Sequence, residues 1–235
     1  MENKLIKEVK FLKLYSIILT LAVVFLIYQN YNKNEIQKFK EISVERINIK
    51  EKNGDLKLVI SNSEMQHTGV INGEELPKRE RPAGLIFFNT VGDECGGLVY
   101  GGNEQEAALV LSVDKFRDDQ VMQLQYIEDT KNNDRKYGLQ LWDYPIEDSY
   151  NERFKNYTAL QAAETQEEKV KIIKALKEKH LLAENRLFIG KTFKKDVGLF
   201  INDSYGNPRI KIYIDENNIA KFELLDEKGN IVDQK

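Results

Sequence analysis

The residues best able to do chemistry are few and scattered. Cys95 is the single cysteine, set in Gly92-Asp93-Glu94-Cys95-Gly96-Gly97. A nucleophilic thiol needs a base or a cation to hold it as thiolate, usually a histidine. The two histidines, His67 and His180, lie in other segments, and Asp93 and Glu94 beside the thiol raise its pKa. The hexapeptide therefore reads as a glycine-rich turn or bulge between strands, with Cys95 as a small apolar filler. No catalytic residue is assigned. A lone thiol cannot close an intrachain disulfide, and one Cys with two His falls short of a zinc ligand set. Asp114, Asp118 and Asp119, with Gln120, crowd carboxylates together but lack the alternating ligands and bidentate Glu of an EF-hand. No metal and no cofactor is expected, and both histidines read as ordinary surface or boundary residues.

Binding leaves a stronger trace than catalysis. The segment from Gln66 to Ala83 is long for a hairpin connection and carries Lys78, Arg79 and Arg81 beside two prolines. It reads either as a contact for an acidic partner or lipid headgroups, or as a solvated connection whose arginines pair with Glu74, Glu75 and Glu80. Arg79, Arg81, Asp93, Glu94, Asp118, Asp119 and Gln120 make up the candidate partner or ligand surface. A net charge of -3 and a pI near 5.7 argue against a nucleic-acid partner, which calls for a basic face.

These residues must be positioned by the elements around them, and the first element is unlike the rest. Phe11 to Tyr28 is apolar apart from Lys13 and two hydroxyls, and it is long enough to cross a hydrocarbon core as a helix. Lys13 can extend its ammonium to the headgroups, and Tyr15, Tyr28 and Tyr31 sit where amphipathic rings prefer the interface. The run ends in Tyr28-Gln29-Asn30-Tyr31 with no small-x-small site, which favours an uncleaved anchor over a cleaved signal peptide. Its apolar residues cover every face, unlike a helix packed on a soluble core. The expected organisation is a basic tail over 1–10, a transmembrane anchor over 11–31, a helical neck over 32–42 and a β-rich soluble domain over 43–235. Lys4, Lys7, Lys10 and Lys13 precede the span closely, whereas Lys33, Lys38, Lys40 and Arg46 follow at greater distance. That asymmetry places the N-terminus in the cytoplasm and the domain outside it.

From Ser43 the hydrophobic period changes to two. One unit recurs: a small or basic residue, about four mainly apolar or alternating residues, then Asn or Asp opening a turn. It stands at Lys57–Asn62, Gly84–Asn89, Gly138–Asp143, Gly198–Asp203, Lys211–Asp215 and Lys221–Asp226. The turns that follow are rich in Asn, Asp and Gly, which tolerate the positive φ of hairpin loops. Such closely spaced strands predict a β-meander. Over 147–182 the period becomes helical: Tyr150, Phe154 and Tyr157 share a face, as do Val170, Ile173 and Leu176. Thr165 with Glu168 forms a capping box opening the second helix. The charged residues Glu167, Lys171, Lys174, Lys177 and Lys179 read as its solvated side.

Val44–Asn62, Arg81–Asn89 running into Gly92–Leu98, Asp118–Val121 and Gly198–Arg209 together resemble a widespread family of small bacterial β-rich proteins of unknown function, anchored in or secreted across a membrane. The likeness covers most of 43–143 and 185–232, and it implies architecture without supplying site residues. The expected fold is mainly β (α+β), an antiparallel meander or barrel-like domain with an inserted helical hairpin and an N-terminal transmembrane helix. The expected function is a non-enzymatic, membrane-anchored envelope module that binds a protein or a surface polymer. The alternatives are a small-ligand-binding barrel and an enzyme using carboxylates.

Overall fold

The computed structural model describes residues 2–31, 36–144 and 150–234, which fall into two compact units, 1–43 and 44–235. In the first, helix α1 (Glu2–Tyr31) runs without interruption, so the basic tail is the first turns of the same helix. Within it Lys4–Gln29, which holds an 18-residue window of mean hydropathy 2.2, is long and apolar enough to cross a membrane. Thr20 donates to the Ser16 carbonyl at 2.9 Å, satisfying its hydroxyl inside the helix. The expected helical neck is not helical where it is described: residues 36–42 hold no helical hydrogen bonding, and Ile36, Phe39 and Ile42 are exposed. A short, mostly polar stretch gains too little to nucleate a helix without a packing partner. Residues 32–35 of that neck lie outside the described residues.

The second unit is built on one twelve-stranded antiparallel sheet. Its strands are β1 (Arg46–Lys50), β2 (Leu56–Ser61), β5 (Ala83–Phe88), β6 (Glu94–Gly102), β7 (Glu106–Asp114), β8 (Gln120–Asp129), β9 (Asp134–Asp143), β10 (Glu184–Lys191), β11 (Val197–Asn202), β12 (Pro208–Ile214), β13 (Ala220–Leu225) and β14 (Ile231–Gln234). They pair strictly in chain order, as a meander with β1 and β14 at its edges. Among the described residues β1 and β14 are not paired with each other, so the sheet is an open-ended meander rather than a hydrogen-bonded barrel. Only β3 (Val70–Ile71) and β4 (Glu74–Glu75) leave it, forming a small ribbon within the long 62–82 connection. Asn72 and Gly73 turn that ribbon with φ of 52° and 77°, the double left-handed geometry of a tight hairpin.

A repeated turn sets the register. Asn89, Asp203, Asp215 and Asp226 each open a turn and accept, through Oδ1, the backbone N–H groups two and four residues on. The residue three positions on takes a positive φ in each turn: Gly92, Gly206, Asn218 and Gly229. The Asn230 amide, then its backbone N–H, holds the Asp226 carboxyl below its usual range.

Helices α2 (Tyr150–Ala162) and α3 (Gln166–Glu178) are inserted between β9 and β10, themselves neighbours in the sheet. Thr165 and Glu168 form the expected capping box. At the other end, His180 takes φ of 53° and its N–H reaches Lys177 O, while Leu181 N–H reaches Leu176 O. These two hydrogen bonds satisfy the Leu176 and Lys177 carbonyls at the end of α3. The expected apolar face of α3 is corrected in part: Leu176 is buried, but Val170 and Ile173 are exposed. Ile172 is half-buried instead, because 172 and 176 satisfy helical spacing as well as 173 and 176 do, and only packing selects between them. Of the corresponding triad on α2, the Tyr150 and Tyr157 side chains lie outside the described residues.

Candidate functional site

The residues singled out by charge converge on one end of the sheet, where the 62–82 connection meets the β5–β6 and β7–β8 turns. Arg81 reaches across to Glu94 with two hydrogen bonds, at 2.7 and 3.0 Å, and also donates to the His67 carbonyl. Its partner is thus a strand residue rather than Glu74, Glu75 or Glu80. Glu75 instead accepts from the Thr68 hydroxyl at 2.7 Å. Asp93 is 1% exposed, accepts the Gly73 N–H at 2.6 Å and faces Arg117 at 3.6 Å. Asp118, 5% exposed, is held by Arg153 of α2 and lies 3.9 Å from Lys115. The Arg153 guanidinium stacks over the Tyr144 ring at 4.0 Å. Arg79, Asp118 and Asp119 line a cavity of about 430 Å³ whose apolar wall includes Ile71, Leu76, Phe154 and Leu181. Gln120 stands apart at the start of β8, accepting from Gln123.

These contacts change how the charged residues read. Arg81 is occupied with Glu94, Asp93 with Arg117 and the Gly73 N–H, and Asp118 with Arg153, and Arg81, Glu94, Asp93 and Asp118 are all largely buried. They fasten the connection and α2 to the sheet, and breaking such a buried pair is costly. Sequence reasoning missed Arg117, Arg153 and Tyr144, because their partners lie in segments joined only by the fold.

Three groups near this end of the sheet have altered acidity. Burial, then the nearby charges of Glu94 and Asp119, pushes the Asp114 carboxyl up to about 7, and its Oδ1 is buried without a hydrogen-bond partner. Burial, then Asp114 and Glu94, also raises the Cys95 thiol, so the thiolate is disfavoured. Cys95 is the extra residue of a bulge, since Phe87 pairs with Gly96 and Phe88 with Glu94. His67 does have partners: Nδ1 accepts the Gly69 N–H at 3.0 Å, and its ring meets Phe88 edge-on at 4.8 Å. Burial, then Arg46, lowers its pKa. His180 packs on Tyr205 at 4.7 Å.

The larger feature is the sheet itself. Directly opposed residues on adjacent strands share a face. One row crosses eleven strands in continuous register: Ile47, Ile60, Leu85, Leu98, Leu111, Leu124, Leu139, Ile189, Leu199, Ile212 and Phe222. Every member is aliphatic or aromatic, and none is buried. Leu124, midway along it, is 53% exposed, and Ile189 is 47% exposed. A parallel row, from Ile49 and Leu58 to Ile210 and Leu224, is apolar throughout. We call this side the open face.

The opposite side, the covered face, is built otherwise. Its matching row runs Asn48, Val59, Ile86, Gly97, Ser112, Gln123, Gln140, Phe188, Phe200, Lys211 and Glu223. Val59 and Ile86 are essentially inaccessible and pack with Phe88, Val70 and Val99. Further along, Gln140 donates to Leu187 O at 3.0 Å, Phe188 stacks on Phe200, and Lys211 pairs with Glu223 at 3.2 Å. Tyr213 donates to Glu223 at 2.9 Å, and burial together with that bond pushes its pKa up to about 12. No family model matches this chain, nor does any curated protein or solved structure.

Proposed function

We propose that this chain is a non-enzymatic, membrane-tethered interaction module. The α1 helix is its single-pass anchor, with the N-terminus in the cytoplasm and the β-rich unit in the envelope outside it. The unit works by burying the open face of its sheet against a protein. The observation that carries this reading is the unbroken apolar row across eleven strands, half-exposed or exposed along its whole length. Soluble monomers rarely leave an apolar patch above about 300–600 Å² in water. An aliphatic face offers no donors or acceptors to a polysaccharide, so a protein partner fits it and a surface polymer does not. The charged residues are left the supporting role of bracing the sheet.

The test uses the full chain in native membranes, with Cys95→Ser as background. Leu124→Cys should resist a membrane-impermeant maleimide, while Asn132→Cys, in the exposed β8–β9 turn, should react from outside the cell. Equal labelling of both would show an uncovered face and end the interaction reading. Labelling of Asn132→Cys only after lysis would reverse the topology.

A second reading rests on the cavity beside Arg79 and Asp118. Its apolar wall and polar end suit a small amphipathic ligand. Native mass spectrometry of the intact protein would reveal a copurifying molecule, and Leu181→Trp, which fills the cavity, should displace it.

A further inference from the structure

The reading of the open face as a contact surface leaves its occupant to be named, and the inference here rests on that reading. We infer that the occupant is a second copy of this chain, packed face to face so that two sheets form a sandwich.

Area comes first. Same-face residues along a strand are about 6.8 Å apart and strands about 4.8 Å apart. The two apolar rows across eleven strands, with the mostly apolar nine-strand row through Tyr100, Leu109 and Val197 beside them, therefore cover on the order of 1,000 Å² per chain. A stable interface buries about 800 Å² per partner, and obligate homodimers bury more and are more apolar. The face is large enough for a homodimer and has that composition.

Chemistry comes second. The two main rows carry no charged residue from β1 to β13, so nothing in them selects a partner by charge or hydrogen bonding. An uncharged apolar surface is complementary to itself, which is what a two-fold interface requires: each residue meets its symmetry mate or that mate's neighbour. Two identically twisted sheets stack about 10 Å apart with strands about 30° off alignment, interdigitating side chains of this kind.

The membrane interior is a poorer occupant. A strand crossing lipid needs about 9–11 residues, whereas β1 has 5, and β2 and β5 have 6 each. Tethering favours the second copy, because anchored chains share one plane and meet at high effective concentration. Leu124 lies on the middle strand of the central row, so a two-fold axis through the centre of the face passes near it.

The experiment is oxidative crosslinking of the full chain in native membranes. Leu124→Cys on Cys95→Ser should give a disulfide-linked dimer of the chain, identified by mass spectrometry. Asn132→Cys should give at least tenfold less. Adding Ile189→Glu to Leu124→Cys should abolish the dimer band while the chain remains anchored and resistant to proteolysis. Protection of Leu124→Cys from maleimide with no homodimer would overturn the second copy yet leave the contact surface standing. Free labelling with no homodimer would overturn both. A crosslink to a different protein would also overturn the second copy.

Discussion

The two faces of one sheet obey opposite rules. On the covered face the row through Ile86 mixes glycine, glutamine, lysine and glutamate with its apolar members, and each large side chain is packed or paired. On the open face the row through Leu124 is wholly apolar and lies half-exposed. In a self-sufficient soluble domain the mixed row would face water and the aliphatic row would be inside. The inversion shows that the connection carrying β3 packs over the face of Val59 and Ile86 and leaves the opposite face without such a cover.

The contrast can be broken most severely at the covered face. Gly138 and Gly190 oppose each other across β9 and β10, and a Cβ on either would meet the other strand's carbonyl oxygen at 2.1 Å. Gly190→Ala should cost more than about 4 kcal/mol or prevent folding, read by circular dichroism and thermal melting. A soluble product with unchanged Tm would mean that the two strands are not so closely apposed. Ile86→Ala should follow, losing about 2–5 kcal/mol through the cavity it leaves. Leu124→Ala, measured in detergent where the open face is solvated by other apolar groups, should lose less than about 1 kcal/mol. Equal losses at the two positions would erase the distinction between the faces.

Arg81→Met should destabilise by about 3 kcal/mol, because it leaves Glu94 charged and buried without its partner. Adding Glu94→Gln should recover much of that loss, and a double-mutant cycle measures how much. No coupling between the two would remove the brace assigned to this pair.

Asp114 sharpens the comparison through pH. Its folded pKa of about 7 lies above the unfolded value, so the folded state holds the proton more tightly. Stability from this group is then fully present below about pH 4 and is lost as pH rises toward 7. Asp114→Asn should therefore raise stability by about 1–3 kcal/mol at pH 8 and by little at pH 4. An equal effect at both pH values would show that Asp114 does not titrate in this window.

Much of the fold was legible because its signals are local. The Asn- and Asp-opened turns, the capping box at Thr165 and the switch to helical period near 150 each depend on residues a few positions apart, and each was found where expected. The neck was misread because Ile36, Phe39 and Ile42 carry helical spacing without anything to pack against. The charged site was legible as residue types but not as pairs: Arg81 with Glu94, or Arg153 with Asp118, are joined across segments whose proximity no local pattern encodes.

Sequence alone determined that one N-terminal helix is long and apolar enough to cross a membrane, and that an antiparallel meander with a helical insert follows. Both conclusions rest on periodicity and length, which a linear chain displays in full. Only the tertiary structure decided which side of the meander is covered. Alternation assigns Ile86 and Leu85 to opposite faces but treats both as core, since both are apolar. The fold lays Val70 and its neighbours over the face of Ile86 and leaves Leu85, Leu124 and Ile189 facing outward, because burial depends on where the connections travel after each strand ends.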